Sequence, residues 1–453
     1  MTLPRYPEYR ASGVEWLEEL PAHWRAGRLR SVASVRYGLG QPPPEHLEGL
    51  PLIRATNIKR GKISREGMVF VNPAEVPKTR RAFLSEGEII VVRSGAYTGD
   101  SAQISAEWVG SVAGYDMVAT VTRSLPRFVS WQFLSPHVYI DQWGTASSRA
   151  AQPHLNAHEL NLTLLALPPL PEQHAIVAYL DRETARIDDL IDKKRRLLAL
   201  LTERRTAIIT HAVTKGLPTE ESRAAGLPVD PPMKDSGVEW IGEVPDHWRV
   251  PSLGQVGTFE KGRGGSKDDD AEDGVPCVRY GDLYTGIDMF IFDPRRRIPV
   301  EIAPTYASLR PGDVVFTASG ETVEDIGKSA VNLGASDIRC GGDLAILRSP
   351  QGFDSKYLGY ATNSEPIRSK KASMSRGSTI KHIYASQLRS VRVPMPPLPE
   401  QHAIVAYLDR ETARIDELTA KVEEAIELLG EYRTALITAA VTGQVDVRGP
   451  VEA

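Results

Sequence analysis

The sequence predicts an α+β protein: two mixed α/β blocks separated by two long helices that form an antiparallel coiled coil, all related by a pseudo-two-fold internal repeat. Three observations predict it. Residues 168–188 read PPLPEQHAIVAYLDRETARID and recur letter for letter at 396–416, 228 positions later. SGVEW at Ser12–Trp16, followed by His23-Trp24-Arg25, recurs as Ser236–Trp240 and His247-Trp248-Arg249. Between them, Pro51-Leu-Ile-Arg54 aligns with Pro276-Cys-Val-Arg279, Gly87-Glu-Ile-Ile-Val91 with Gly312-Asp-Val-Val-Phe316, and Gly95 with Gly320, all at an offset of 225. A repeat of this length is one architecture used twice.

Taken in order, residues 1–25 hold the first short motif. Residues 26–160 form the first block, with strand patterns at Pro51–Thr56, Glu88–Arg93 and Val118–Thr122, loop signals at Gly38–Pro44, and a short helix over Phe128–Gln142. Residues 168–216 are the first long helix. Pro171 suits a first turn, and Glu172 places an acid where the helix dipole favours one. Residues 217–249 are a linker rich in Pro, Gly and charge, then the second motif. Residues 250–388 repeat the block, and 396–443 repeat the helix with Pro399 and Glu400. Apolar residues spaced by threes and fours continue through both helices. That predicts a seam burying Ile176, Leu180, Ile187, Leu197 and Leu201 against Ile404, Leu408, Ile415, Ala425 and Leu429. About 40 residues of helix make a rod of roughly 60 Å.

Composition sets bounds. Hydrophobic residues are 41%, charged residues 25%, and the net charge is −4. Cys277 and Cys340 are the two cysteines, too few for a disulfide framework. No signal-peptide or membrane-spanning pattern is visible, so a reducing cytoplasm is the expected setting. The first block carries 15 Lys/Arg against 11 Asp/Glu, the second 17 against 18. Basic faces are compatible with both.

Fragments that suggest catalysis fail on spacing. Gly327-Lys328-Ser329 has its nearest upstream glycine at Gly320, too far to close a phosphate nest. Gly262–Lys267 is glycine-rich, but no helix follows it. Asp230-Pro231-Pro232-Met233 approximates an amino-methyltransferase motif, yet Met replaces the aromatic that would stack on a base. His174 and His402 read as helix-start residues rather than bases. No serine triad, zinc spacing or carboxylate pair stands out. The expectation is a binding protein with no cofactor of its own. Two similar blocks on two helices fit a duplex that offers two half-sites about a helical turn or more apart.

The order of SGVEW…HW, a variable block and an LPPLPEQHAIVAYLD helix, given twice, resembles the DNA-specificity subunits of Type I restriction-modification enzymes, across nearly the whole chain. The resemblance implies two target recognition domains, each reading one half of a bipartite asymmetric DNA sequence. It also implies that the helices dock two methyltransferase (modification) subunits, with restriction-translocase subunits added through them, and that S-adenosylmethionine binds those partners. A coiled-coil scaffold without specificity is the alternative. Base-reading candidates lie where loops leave the aligned strands: Arg54, Asn57, Lys59, Arg93, Ser94 and Tyr97 in the first block, and Arg279, Tyr280, Ser319, Lys371 and Arg376 in the second. Arginine reads guanine and asparagine reads adenine through paired hydrogen bonds, while Lys59 and Lys371 suit phosphate. Arg182, Arg186, Arg410 and Arg414 are the candidates for partner docking.

Overall fold

The structure is a computed structural model and describes residues 4–14, 17–77, 81–144, 153–320, 322, 326–334, 336–348, 350–377 and 381–449. Glu15 and Trp16 of the first motif lie outside the described residues. The chain divides into two compact units, Met1–Arg195 with Glu423–Ala453, and Arg196–Val422. Each unit therefore holds one block, half of the first long helix (Leu170–Lys215) and half of the second (Leu398–Val441). No helix among the described residues is long and apolar enough to cross a membrane.

In the first unit, an antiparallel sheet runs in the order Ser101–Gln103, Ile89–Val91, Met117–Val121, Ala33–Tyr37. Beside it, Val112–Ala113 pairs in parallel with Leu50–Ile53. The helix expected over Phe128–Gln142 is broken: Pro126–Phe133 is α-helical, and the chain restarts at Pro136. Proline lacks the N–H that would continue the ladder.

The second unit repeats this plan. Ser329–Asn332, Val314–Thr317, Leu344–Arg348 and Thr258–Lys261 follow the same order, and Ile338–Cys340 pairs in parallel with Val275–Val278. Phe290–Ile291 is added at one edge. Continuous apolar runs such as Ile89–Val91 and Val314–Phe316 are fully buried, as expected of strands covered on both faces.

The long helices pair antiparallel within each unit. In the first, Asp188 meets Arg433 at 2.9 Å, and Ile176, Leu180 and Ile187 share a core with Leu436, Ile437 and Ala440. In the second, Arg205 meets Asp416 at 3.3 Å, and Ile209, Ala212 and Val213 share a core with Ile404 and Leu408. Seven of the ten residues expected in the seam are buried: Ile176, Leu180, Ile187, Leu201, Ile404, Leu408 and Ile415. Leu197 is 38% exposed, while Ala425 and Leu429 are half-buried. An 11-residue step also runs through Ile176, Ile187, Leu198 and Ile209 and through Ile404, Ile415, Ile426 and Ile437, with Leu198 and Ile426 half-buried and the others buried. A straight α-helix drifts away from a seven-residue frame, and an 11-residue step follows it.

The repeated motifs meet each other. Trp24 Nε1 and His23 Nε2 reach the two Glu172 oxygens at 2.9 and 2.7 Å. His247 Nε2 reaches Glu400 at 2.8 Å. Gln173 and Gln401 donate back to the Pro168 and Pro396 carbonyls at 2.9 and 2.8 Å, and each side-chain oxygen accepts from its block, from Leu125 N and Asp354 N. The Glu-Gln pair at each helix start thus joins the short motif and the block to the helix.

Candidate nucleic-acid interface

In the first unit, the turn 93–99 links strand Ile89–Val91 to Ser101–Gln103. Val92 and Gly99 close it through Gly99 N–H to Val92 O at 2.8 Å, and Gly95 takes a left-handed φ of 87°. The Arg93 guanidinium stands over the ring of Tyr115 at 4.1 Å and of Tyr37 at 4.8 Å, with His154 Nε2 3.5 Å away. Its backbone N–H donates to Asp116 at 3.3 Å. Burial pushes the Asp116 carboxyl up to about 6, against the pull of Arg93's N–H and charge. Ser94 bridges to His154 on the neighbouring segment. Tyr37, Tyr97 and Tyr115 are all substantially exposed. Arg93, Ser94 and Tyr97 are therefore brought together as a pre-positioned cation with aromatic faces, able to fork onto a guanine edge or a phosphate.

The other first-block candidates fare differently. Arg54 donates to Gly67 O at 2.9 Å and pairs loosely with Glu45 at 3.4 Å, leaving it part-exposed. Lys59 is exposed and paired with Glu66 at 3.0 Å. Asn57 is a correction. It is fully buried, its side chain accepts from Arg54 N and donates to the Ser64 and Glu66 carbonyls, and it has no edge left for a base.

In the second unit, Ser319 Oγ lies 2.9 Å from His382 Nδ1, and Ser319–Gly320 pairs with Lys381–His382. His382 also bridges Arg376, which is exposed. Tyr284 donates to Ser319 O at 2.5 Å and stacks edge-on with part-exposed Tyr280. Tyr280, Ser319 and Arg376 thus share one surface. Arg279 and Lys371 are corrections. Arg279 is 9% exposed and spent on Asp270 at 2.9 Å and Tyr306 at 3.2 Å. Lys371 is fully buried, donating to Gly327 O and to Thr362 O at 2.8 Å, and burial lowers its pKa to about 7.

Sequence reasoning missed Tyr37, Tyr115, His154 and His382. The signal existed for the histidines: His154-Leu155 recurs as His382-Ile383 at the helices' offset of 228 rather than the strands' 225.

The docking candidates sit on an exposed stripe. Arg182 and Arg186 pair with Glu183, and Arg410 and Arg414 with the equivalent Glu411. Arg410 alone gains a second partner, Glu221 of the linker helix Thr219–Ala224, at 2.7 Å. Leu170, His174, Ala178, Arg182 and Arg186 are exposed, as are their counterparts Leu398, His402, Ala406, Arg410 and Arg414. One identical outward face therefore stands in each unit.

Residues 245–428 match the family model for the Type I restriction modification DNA specificity domain. Over that segment the chain is similar to a Type I DNA specificity domain. It is 26% identical to the EcoKI specificity subunit of Escherichia coli K12 over 208 residues, which is 45% of this chain and 44% of that relative. The chain thus matches less than half the length of that subunit. It is 21% identical over 444 residues to the MjaVIII specificity subunit of Methanocaldococcus jannaschii, covering 95% of this chain and 94% of that one. A chain from a structure of complex assembly and conformational transition in the type I R-M system superposes with a TM-score of 0.64 at 21% identity, covering 94% of this chain and 99% of its own length; the fold is shared.

Proposed function

We propose that this chain is a Type I DNA-specificity subunit that reads a bipartite, asymmetric DNA target, one half-site per unit, and docks two methyltransferase subunits on its repeated helix starts. Restriction subunits join through those partners. S-adenosylmethionine binds the partners, and this chain performs no chemistry on DNA itself. One observation carries the reading: the scaffold is the same in both units while the loop ends above it differ. The Ser–His pair, strand order and Glu-Gln anchors repeat. The side chains they support are Arg93 with Tyr37 and Tyr115 in one unit, and Tyr280 with Arg376 in the other. One fold with two unlike surfaces reads two unlike sequences.

The identical exposed stripes suit two copies of one partner. A coiled-coil scaffold, or a fused-type component without specificity of its own, would leave the two unlike surfaces without a role. The test is methylation of duplex DNA by the purified chain, by the methyltransferase subunit and by both together. Only the mixture should methylate a defined sequence. Robust methyl transfer by the chain alone would refute the assignment.

A further inference from the structure

One repeated feature remains outside both surfaces. RTAIIT at Arg205–Thr210 recurs as RTALIT at Arg433–Thr438. In each unit the first, second and fifth residues of that motif line a cleft between the helix and the block: Arg205, Thr206 and Ile209 in the second unit, Arg433, Thr434 and Ile437 in the first. The facing walls correspond too. Asp100 lines the first cleft, and Lys328, 228 positions later, lines the second. The scaffold is shared and the charge is reversed.

The second unit's cleft encloses about 190 Å³. A water's share of the liquid is about 30 Å³, so the space takes a small polyatomic group. Lys328, Arg368 and Arg205 all face it. Arg205 is already neutralised by Asp288 at 2.7 Å and by Asp416. Lys328 and Arg368 carry no ion-pair partner among the described residues. The helix Glu365–Ser373 begins at the same cleft with Ser364, whose hydroxyl turns back to Ala361 O at 2.7 Å rather than capping. Lys328 is half-buried and Arg368 exposed, and Glu365 stands in the first turn of the same helix with its N–H donated to Thr210 Oγ1 at 3.2 Å, so the two cations leave the cleft a net positive charge at its mouth.

We infer that this cleft binds a phosphate group of a phosphoester, held by Lys328 and Arg368. A doubly charged phosphate matches both cations, whereas a carboxylate leaves one unmatched, and the guanidinium fork fits phosphate oxygens. The first unit's cleft takes no such ligand, because Asp100 is 8% exposed there with one oxygen unpartnered. The Gly327-Lys328-Ser329 triplet thus supplies its lysine to an anion by a geometry other than a phosphate loop. This inference stands whether or not the chain reads DNA.

The test titrates inorganic phosphate and pyrophosphate into the full chain by calorimetry, with chloride at matched ionic strength as the blank. One site per chain is expected. Lys328→Gln and Arg368→Gln should each weaken it about tenfold or more, with the melting temperature in chloride unchanged. No phosphate binding above the chloride blank, or binding that survives the double variant, would overturn the inference. A second arm finds the source. If the double variant also lowers the salt slope of duplex binding, by about one per lost contact, the phosphate belongs to DNA; an unchanged slope with phosphate binding lost assigns the site to a free phosphoester.

Discussion

Trp24 donates its indole N–H to Glu172 at 2.9 Å, and both residues are buried. That bond ties the first short motif to the first turn of the long helix. Trp248, its counterpart, is equally buried but its Nε1 has no partner among the described residues, because Glu400 is engaged by His247 alone. The two sites separate hydrogen bonding from packing. Trp24→Phe and Trp248→Phe lose similar apolar bulk, but only the first strips a partner from a buried carboxylate. Trp24→Phe should therefore be the more destabilising by about 1–3 kcal/mol in denaturant unfolding. Equal losses would show that Glu172 gains little from the indole.

The buried Lys371 gives stability a pH dependence. Its pKa falls from 10.5 to about 7 on folding, chiefly through burial. Between those values the unfolded chain holds a proton that the folded chain does not, so stability rises as pH goes from 7 towards 10.5. A neutral amine has two N–H groups, matching the two carbonyls it serves. Unfolding of wild type and Lys371→Met at pH 7, 8 and 9 should show the rise in the first and a flatter course in the second. Parallel curves would remove Lys371 as the cause.

Docking should depend on the exposed stripe and not on the seam. Arg182→Glu with Arg410→Glu should weaken assembly with the methyltransferase subunits while the melting temperature changes little, since exposed ion pairs such as Arg410–Glu221 contribute roughly 0–1 kcal/mol. Leu180→Ala or Leu408→Ala should instead cost about 2–5 kcal/mol of stability. Unaltered co-purification of the double arginine variant would leave those arginines as solvated side chains.

The 11-residue burial step gives a way to lengthen the helices without rotating their buried faces. Adding 11 matched residues after Arg195 and after Val422 lengthens each by about 16 Å. At about 34–36 Å per 10–10.5 base pairs, the gap between half-sites should grow by roughly five base pairs, with both half-site sequences kept. Methylome sequencing of a host carrying the variant reads this directly. Changed half-site bases with an unchanged gap would contradict the ruler.

The repeat, the long helices and the aligned strands were legible because each follows a strong period or an undisturbed offset. The seam was legible in most of its residues, Leu201 included; Leu197 departs because it is exposed while its neighbour Leu198 is half-buried, a difference that spacings of threes and fours do not reveal. Asn57, Arg279 and Lys371 were misplaced for a common reason. A polar residue beside a loop reads as exposed, but each of these is buried and engaged with nearby backbone or acid groups. The Ser94–His154 and Ser319–His382 pairs escaped because their members belong to two different offsets, and only the fold brings them together.

The central claim is that each unit reads its own half-site. Arg93→Ala and Arg376→Ala, each assembled with the methyltransferase subunits, should be assayed for methylation on targets randomised at one half-site at a time. Arg93→Ala should relax one position of the first half-site at a cost of about 1–3 kcal/mol and leave the second untouched; Arg376→Ala should do the reverse. A first-unit variant that altered preference at the other half-site would contradict the account.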